Sequence, residues 1–456
     1  MELQISDFIG ATSMVRKRPK DDSSKKALDY SRFYGGKIGT IPKVPVRSLS
    51  DFSVWYTPGV GAVSRAVQAK PELSFDYTNR WNTIAIVTNG SRVLGLGNIG
   101  PVAAMPVMEG KALIYKFLGG VDAVPLPIRA EKEEEFIAVV KALEPSFGGI
   151  NLEDIESPMC FEVLDRLRAE MQIPVWHDDQ QGTAGVIIAA LFNALELTHR
   201  TLKGAKIVLF GAGAANIAAA RLIVKAGADA RDLIVLDSKG ILHPEREDID
   251  QLLLRNKWKY DLAITTNGSR VRGGLSEALK GADVLVAAAG VGPNLVKKSE
   301  IAQMNRHSIV FLLANPVPEM WPDAARAAGA EIVATGRSDF PNQVNNSLLF
   351  PAIFRGALDV RARTISDGMV IAAARELAGF AKDKGLTKKR IMPTMVDWEV
   401  YPRVAAALGS QAVAEGLAKK KASRRRLLEE ATETIAQSRK AMKALMRSRV
   451  IVEPPK

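Results

Sequence analysis

Short apolar runs alternate with amphipathic stretches between residues 200 and 360, and this is the clearest hydrophobic pattern in the chain. Apolar runs rich in β-branched residues occupy 206–210, 233–236, 284–287 and 309–313, and an alanine-rich stretch over 214–226 has helical periodicity. Strands that alternate with helices are typical of a parallel sheet with helices on both faces. We therefore predict a doubly wound α/β unit in this part of the chain.

The pattern before residue 200 is more mixed. Residues 83–88 and 112–115 are predicted as strands, and residues 131–143 and 185–197 as helices. Residues 1–50 combine charge with glycine and proline, and we expect an arm with little regular structure. The first half of the chain is therefore predicted to hold a second, smaller α/β unit.

Beyond residue 365 the pattern is helical. An apolar stripe at helical spacing runs along the tail, and its members are Leu428, Ala431, Ile435, Met442 and Leu445. Such a stripe predicts that residues 419–449 form a helix used for packing or for contact between subunits. The predicted divisions are an arm, a first α/β domain, a doubly wound domain and C-terminal helices that pack on the first domain, at 1–50, 51–185, 186–360 and 361–456.

The net charge of +12 over 456 residues suggests a polyanionic partner, but its distribution argues otherwise. Residues 16–43 have a net charge of +6, residues 419–449 have +8, and residues 44–418 are neutral. Because the excess is terminal, and no helix-turn-helix or aromatic-interleaved basic patch accompanies it, no nucleic-acid partner is expected. The single cysteine favours a reducing compartment, the cytoplasm, and no membrane span or secretory signal is predicted.

A glycine-rich turn follows the predicted strand over 206–210. Gly211 would allow a tight turn, Gly213 would let a pyrophosphate approach the backbone, and the helix that begins at Ala214 would offer unpaired N–H donors to phosphate. This context is typical of dinucleotide binding. Asn216 replaces the third glycine of the motif, and a small-residue packing turn is the alternative.

Asp237 ends the next predicted strand, where a carboxylate suits the ribose 2′-hydroxyl of NAD. Ser238 and Lys239 follow it and could tolerate the 2′-phosphate of NADP. The choice between NAD and NADP stays open at this point.

Two acidic pairs follow predicted strands. Glu153 and Asp154 lie in Asn-Leu-Glu-Asp, and Asp178 and Asp179 lie in His-Asp-Asp-Gln-Gln-Gly. Carboxylates at strand ends can converge on a hard divalent ion, and oxygen ligands suit Mg²⁺ or Mn²⁺. The alternative is that both pairs are surface or helix-capping residues.

In combination, these segments resemble the malic enzymes, most closely the short prokaryotic form. The similar segments appear in family order over about two-thirds of the chain, and they are Trp-Tyr-Thr-Pro-Gly-Val-Gly (55–61), Val-Leu-Gly-Leu-Gly-Asn-Ile-Gly-Pro (93–101), Pro-Val-Met-Glu-Gly-Lys (106–111), Asn-Leu-Glu-Asp-Ile (151–155), His-Asp-Asp-Gln-Gln-Gly-Thr-Ala (177–184), Gly-Ala-Gly-Ala-Ala (211–215), Ala-Asn-Pro (314–316) and Asn-Gln-Val-Asn-Asn (342–346). Asn98 departs from the family, which often has an acid there.

The resemblance implies oxidative decarboxylation of L-malate to pyruvate and CO₂ with reduction of NAD⁺ or NADP⁺. It implies a substrate- and metal-binding domain over 51–185, a Rossmann domain over 186–360, and a homodimer or higher homo-oligomer. The implied roles are Tyr56 as general acid, Lys111 as general base, Asp178 as the carboxylate beside the base, Glu153, Asp154 and Asp179 as metal ligands, Arg92 as a contact to a substrate carboxylate, and Asn315 and Asn346 as lining residues of the substrate and nicotinamide site.

The chemistry sets one requirement on the implied base. Lys111 must be neutral to accept a hydroxyl proton, so its pKa is expected to fall below the ordinary value of about 10.4 through burial and a nearby cation. Two alternatives remain: another metal-assisted enzyme on this scaffold, such as an oxaloacetate decarboxylase or a different 2-hydroxy-acid dehydrogenase, and a non-catalytic binding protein.

Overall fold

The apolar runs of the chain form strands that lie in two separate sheets. The protein is described here by a computed structural model covering residues 23–93 and 95–454. Within those residues the strands are β1 Thr83–Thr88, β2 Asp122–Pro127, β3 Gly149–Leu152, β4 Val175–His177, β5 Ile207–Phe210, β6 Leu233–Asp237, β7 Gly240–Ile241, β8 Val284–Ala287, β9 Ile309–Leu312 and β10 Ile332–Thr335.

Helices cover both sheets and form the C-terminal part of the described chain. They are α1 Ser23–Tyr34, α2 Phe52–Trp55, α3 Val60–Ala69, α4 Ser74–Tyr77, α5 Gly100–Gly119, α6 Glu133–Ala142, α7 Met159–Glu170, α8 Thr183–Leu197, α9 Ala214–Lys225, α10 Ile249–Arg255, α11 Lys257–Thr265, α12 Leu275–Leu279, α13 Lys298–Ile301, α14 Pro322–Ala327, α15 Phe350–Asp359, α16 Asp367–Asp383, α17 Val400–Ala414 and α18 Arg424–Arg447. None of these helices has the length and apolar composition that a bilayer span requires.

The first sheet has the order β2-β1-β3-β4, and all its pairs are parallel. The two central strands, β1 and β3, are buried at every position because both faces are covered, as is usual in parallel sheets. The carboxyl ends of β3 and β4 are neighbours, so the acidic pairs that follow them meet at one edge.

The second sheet has the order β10-β9-β8-β5-β6-β7. All pairs are parallel except β6 with β7, which form a tight antiparallel hairpin at the edge. The strand order reverses at β5, which pairs with β6 on one side and β8 on the other. In such sheets ligands bind outside the carboxyl ends at this switch point.

The long apolar helix α8 joins the two sheets. Its residues from Ala184 to Leu191 are all buried in one hydrophobic core that also includes side chains of β1, β5, α15, α16 and α17. The tail helix α18 packs on this assembly through Leu427, Ala431 and Ile435. It also contacts α5, where Ser438 Oγ donates to the carbonyl of Lys116 at 2.8 Å.

Two predictions from the hydrophobic pattern were wrong. Residues 112–115 form part of α5 and not a strand, because Met108, Ala112 and Tyr115 are buried at helical spacing, a period that a four-residue run cannot show. In the arm, residues 23–34 form a helix, α1, whose side chains are nearly all exposed. Residues 1–22 of the predicted arm lie outside the described residues.

Candidate active site

The turn after β5 has the geometry that a dinucleotide needs. Gly211 has a φ of +99°, and a Cβ there would lie 2.5 Å from the carbonyl oxygen of Ala288, so only glycine fits. Gly213 precedes α9, and the space that its side chain would occupy is open. Because Gly213 has no side chain with which to cap α9, the first N–H groups of the helix remain available to a phosphate.

Asn216 stands where the motif has its third glycine, and it does not disrupt helix α9. Its side chain is buried, and its Nδ2 donates to the carbonyl of Phe210 at 3.0 Å. This amide therefore binds α9 to β5 at the place where a third glycine would allow close packing.

Three carboxylates converge where β3 and β4 end. One oxygen each of Glu153, Asp154 and Asp179 lies within 4.8 Å of the others, and Glu153 and Asp154 are buried while Asp179 is partly exposed. The backbone N–H of Asp154, a residue with a φ of +54°, donates to Asp179 Oδ2 at 2.9 Å. An all-oxygen set with one exposed side suits Mg²⁺ or Mn²⁺.

Lys111 from α5 reaches the same cluster. Its ammonium group is buried, lies 2.6 Å from Glu153 Oε1 and forms a hydrogen-bonded ion pair with Asp178. Its Nζ also lies 4.5 Å from the ring centroid of Phe350. Asp178 has no exposed surface, and its second oxygen accepts from the indole of Trp176 at 3.1 Å.

The charges in this cluster do not balance without a further cation. Burial raises the pKa of Glu153 well above its ordinary value, and the neighbouring aspartates raise it further while Lys111 opposes them. Burial likewise raises the pKa of Asp178. Three carboxylates, those of Glu153, Asp178 and Asp179, act on the one ammonium group of Lys111, so the donor set fits a divalent ion, which would relieve their mutual repulsion.

Lys111 does not have the lowered pKa that the sequence argument required. Burial lowers it, but the negative charges of Asp178 and Glu153 outweigh burial and raise the pKa of Lys111 above its ordinary value. Among the protein groups, the two carboxylates therefore favour the ammonium form of Lys111.

Both halves of the chain match one known family. Residues 180–413 match the family model for the malic enzyme NAD-binding domain, and residues 35–133 and 129–168 match the model for the malic enzyme N-terminal domain. The chain belongs to the malic enzyme family. The resemblance drawn from the motifs is confirmed.

Individual malic enzymes are similar over most of the chain. The NAD-dependent malic enzyme of Geobacillus stearothermophilus is 44% identical over 386 residues, which are 85% of this chain and 78% of that protein. The bifunctional malic/malolactic enzyme of Bacillus subtilis is 43% identical, with 87% of this chain and 94% of that protein covered. The crystal structure of the Entamoeba histolytica malic enzyme superposes with a TM-score of 0.92 at 43% identity, covering 95% of this chain and 90% of that one. The predicted fold class is therefore confirmed.

The other residues that match the malic enzyme motifs differ in their burial and in their distance from the cluster. Asn346 lies beside the turn Asp178–Gly182, since its Cβ would be 3.4 Å from a Cβ at Gly182. Asn315 is half-buried and packs against Gly336. Arg92 is exposed, and its backbone N–H donates to the carbonyl of Asp154 at 3.0 Å.

The side chain of Tyr56, the predicted acid, is largely exposed to solvent in the single chain. Its side chain is 68% exposed, and within residues 23–93 and 95–454 no hydrogen bond joins its hydroxyl to Lys111 or to the carboxylates. It lies in residues 52–60, outside the predicted arm of residues 1–50. We call this segment the apolar arm, because large apolar side chains such as Val54 and Trp55 are also exposed there. The structure does not bring the predicted acid to the predicted base within one chain.

Sequence reasoning missed two residues that support the cluster. Tyr115 donates to Asn151 Oδ1 at 2.6 Å, and Asn151 Nδ2 donates to Glu153 Oε2 at 2.9 Å, so this relay orients the carboxylate of Glu153. Tyr115 lies four residues after Lys111, on the same face of α5. This spacing of four residues would have indicated Tyr115 as a neighbour of Lys111 once the segment was known to be a helix.

Proposed function

We propose that the chain catalyses oxidative decarboxylation of L-malate to pyruvate and CO₂, with reduction of NAD⁺ or NADP⁺. The observation that carries the proposal is the position of Lys111, between Asp178 and Glu153 and next to a three-carboxylate cluster that fits a divalent ion. We assign substrate and metal binding to residues 51–185 and dinucleotide binding to residues 186–360, with the helices of 361–456 supporting the first domain.

Glu153, Asp154 and Asp179 would hold Mg²⁺ or Mn²⁺, which when bound supplies Lewis-acid polarisation of the C2 oxygen of malate. Arg92 is exposed and is joined to the cluster through its backbone bond to Asp154, and its guanidinium suits a substrate carboxylate as a partner. Asn346, beside the turn Asp178–Gly182, and Asn315, three residues after β9, are the proposed contacts to substrate and nicotinamide. The Gly211–Gly213 turn and the start of α9 at Ala214 hold the pyrophosphate.

Lys111 is the proposed base for the C2 hydroxyl proton of malate. It can accept this proton only as a neutral amine, and its ion pairs with Asp178 and Glu153 favour the ammonium form. If Glu153 held a divalent ion, less of its negative charge would act on Lys111, and the pKa of Lys111 would move downward. Asp178, fixed by Trp176, keeps the amine directed at the substrate.

Tyr56 is the proposed acid that returns a proton to C3 of the three-carbon enol left after CO₂ departs. Its exposure in the single chain is unfavourable for this role, because proton delivery at the site requires exclusion of bulk water. A second copy of the chain that covers the apolar arm would enclose Tyr56, and we therefore propose a homodimer or higher homo-oligomer. The cytoplasm is the proposed location, since the chain has one cysteine.

The deciding experiment measures malate-dependent reduction of NAD⁺ and NADP⁺ with Mn²⁺ present. Lys111→Ala should abolish turnover, and omission of Mn²⁺ with a chelator present should do the same. Lys132→Ala, which removes an exposed lysine of the same domain, is the matched control and should retain activity. Full turnover by Lys111→Ala would refute the proposal.

The oligomer proposal has its own test. Val54 is 61% exposed in the single chain, and a glutamate there would place a charge in an interface that covers the arm. Val54→Glu should therefore lower the molecular mass measured by sedimentation, and it should lower activity in parallel. Unchanged mass would show that the arm is not the contact between copies.

A further inference from the structure

A buried carboxylate far along the chain from the acidic pairs holds one loop of the dinucleotide-binding domain at both of its ends. Glu319 lies in the loop after β9 and has no exposed surface. Its Oε1 accepts the backbone N–H of Ala289 at 3.0 Å, and its backbone carbonyl accepts the N–H of Val296 at 3.2 Å. These two bonds fix the first and last residues of a segment after β8, which we call the 289–296 loop.

The second carboxylate oxygen of Glu319 binds the loop after β9. Its Oε2 accepts the backbone N–H of Ala314 at 3.2 Å. The next residue is Asn315, the proposed contact to substrate and nicotinamide. One buried side chain therefore sets the separation between the 289–296 loop and the segment that carries Asn315.

Both loops lie on the side of the second sheet that the adenosine half of a dinucleotide leaves free. Strand β5 is followed by the Gly211 turn, and it pairs with β6 on one side and with β8 on the other. A dinucleotide with its pyrophosphate on this turn and its adenosine ribose beside the end of β6 extends its nicotinamide half past the ends of β8 and β9. The 289–296 loop also touches the turn itself, since a Cβ on Gly211 would lie 2.6 Å from Ala289 Cα.

The same two loops are in contact with the first domain. A Cβ on Gly95, which lies between β1 and α5, would be 3.0 Å from the carbonyl oxygen of Asn315 and 3.2 Å from Val291 Cγ2. A shift of either loop therefore changes the surface at which the two domains meet. The nicotinamide and the substrate must meet at this surface for hydride transfer, because each domain supplies one of the two proposed sites.

We propose that Glu319 is a positioning residue for the nicotinamide half of the bound dinucleotide. It acts through the backbone of Ala289 and Ala314, whose loops it holds at a fixed separation, and it contacts neither the dinucleotide nor malate. Hydride transfer requires close and aligned reacting atoms, so a small displacement of the nicotinamide lowers the rate strongly. This inference rests on the proposed function only in taking the Gly211 turn to bind a dinucleotide.

The first test compares a whole dinucleotide with its adenosine half by calorimetric titration of the full chain. The ligands are NADH and ADP-ribose, or NADPH and 2′-phospho-ADP-ribose if NADPH binds more tightly. Glu319→Gln keeps one acceptor oxygen but directs an amide N–H at the other loop, which leaves a backbone N–H without its acceptor. The variant should weaken the dinucleotide by about tenfold and leave the ADP-ribose nearly unchanged.

Asp283→Asn is the matched control for a merely structural effect. Asp283 is also a buried carboxylate that accepts a backbone N–H, that of Lys206 at 3.0 Å, but it precedes β8 at the opposite edge of the same sheet. Its substitution should lower the melting temperature and leave the ratio of dinucleotide affinity to ADP-ribose affinity unchanged.

The second test measures hydride transfer with malate deuterated at C2. Glu319→Gln should lower kcat by about 10- to 100-fold and raise the deuterium isotope effect on kcat/KM, because a displaced nicotinamide makes hydride transfer rate-limiting. Asp283→Asn should change neither quantity by more than a small factor.

A third measurement uses the unmodified chain, so it stays decisive if Glu319→Gln unfolds. Amide hydrogen exchange in residues 288–296 and 313–320 should slow more with the dinucleotide bound than with ADP-ribose bound, since only the former has a nicotinamide to contact these loops.

The outcomes separate the two proposals. If Glu319→Gln weakens both ligands equally or neither of them, or if both ligands slow exchange in these loops equally, the inference is overturned while the malate activity can stand. If the unmodified chain binds neither ligand, the proposed function falls with it.

Discussion

Glu319 gives the sharpest quantitative prediction, because it is a buried carboxylate outside the cluster of Glu153, Asp154 and Asp179. It has no exposed surface, and it accepts backbone N–H groups from Ala289 at 3.0 Å and Ala314 at 3.2 Å. It thereby joins the loop after β8 to the loop after β9, which carries Asn315. Burial raises the pKa of Glu319 from an ordinary 4.5 to about 7, although the backbone N–H groups oppose the rise.

The sign and size of the effect follow from proton linkage. Between pH 4.5 and 7 the native chain binds a proton at Glu319 more readily than the unfolded chain does, so the free energy of unfolding falls as the pH rises through this window. The full effect of such a pKa difference is roughly 3 kcal/mol. Between pH 5.5 and 8 the expected contribution of this one residue is about 2 kcal/mol.

The assay is urea unfolding at pH 5.5 and at pH 8. Glu319→Gln removes the titration, so its change in stability between the two pH values should differ from that of the unmodified chain by about 2 kcal/mol. The glutamine can still accept one N–H but faces the other with an amide, so a uniform loss of stability at both pH values is also expected.

Glu247→Gln, at an exposed position of the same domain, is the control and should reproduce the pH dependence of the unmodified chain. If Glu319→Gln shows the same pH dependence as well, then Glu319 does not have a raised pKa and the reasoning about its burial is incorrect.

Three further changes have expected outcomes. Gly182→Ala should abolish malate turnover in a steady-state assay while the chain remains folded, because its Cβ would lie 1.9 Å from Asp178 Oδ1 and displace that carboxylate. Arg355→Ala should lower the free energy of unfolding by about 3–5 kcal/mol in urea titration. In the unmodified chain the guanidinium lies 2.7 Å from the buried carboxylate of Asp359, and the substitution removes this partner. Leu427→Ala should lower the free energy of unfolding by about 2–5 kcal/mol in the same measurement. Leu428 is less buried, so Leu428→Ala should lower it less. A smaller loss for Leu427→Ala than for Leu428→Ala would contradict the packing of α18.

The elements of the doubly wound unit could be predicted almost residue by residue. Strand β8 has the bounds that its apolar run predicts, and β5, β6 and β9 differ by one residue at an end. The turn at Gly211 and the start of α9 also follow from local signals, since glycine alone tolerates the close approach to Ala288. Local periodicity and turn chemistry are enough here because each signal is contained in a few consecutive residues.

The candidate site could be predicted only as a set of residue types. The family motifs pointed to Lys111, Glu153 and Asp178, and the structure brings all three together from α5, from the end of β3 and from the turn after β4. Their environment was not predictable, because burial and the mutual distances of charged groups depend on how the sheet orders its strands. That is why the pKa of Lys111 moves in the direction opposite to the one expected from its proposed role.

The sequence by itself determined the family, the two α/β units, the glycine-rich turn and the acidic pairs, since these depend on short segments whose order along the chain is sufficient. Only the tertiary structure decided that Arg246 donates a hydrogen bond to Asp237, that Tyr56 is exposed in the apolar arm, and that Glu319 joins two loops. Each of these depends on contacts between residues distant in sequence or on solvent exclusion by several elements together. Hydrogen bonds and charge states depend on which groups are neighbours in space, and the spacing of residues along the chain does not show this.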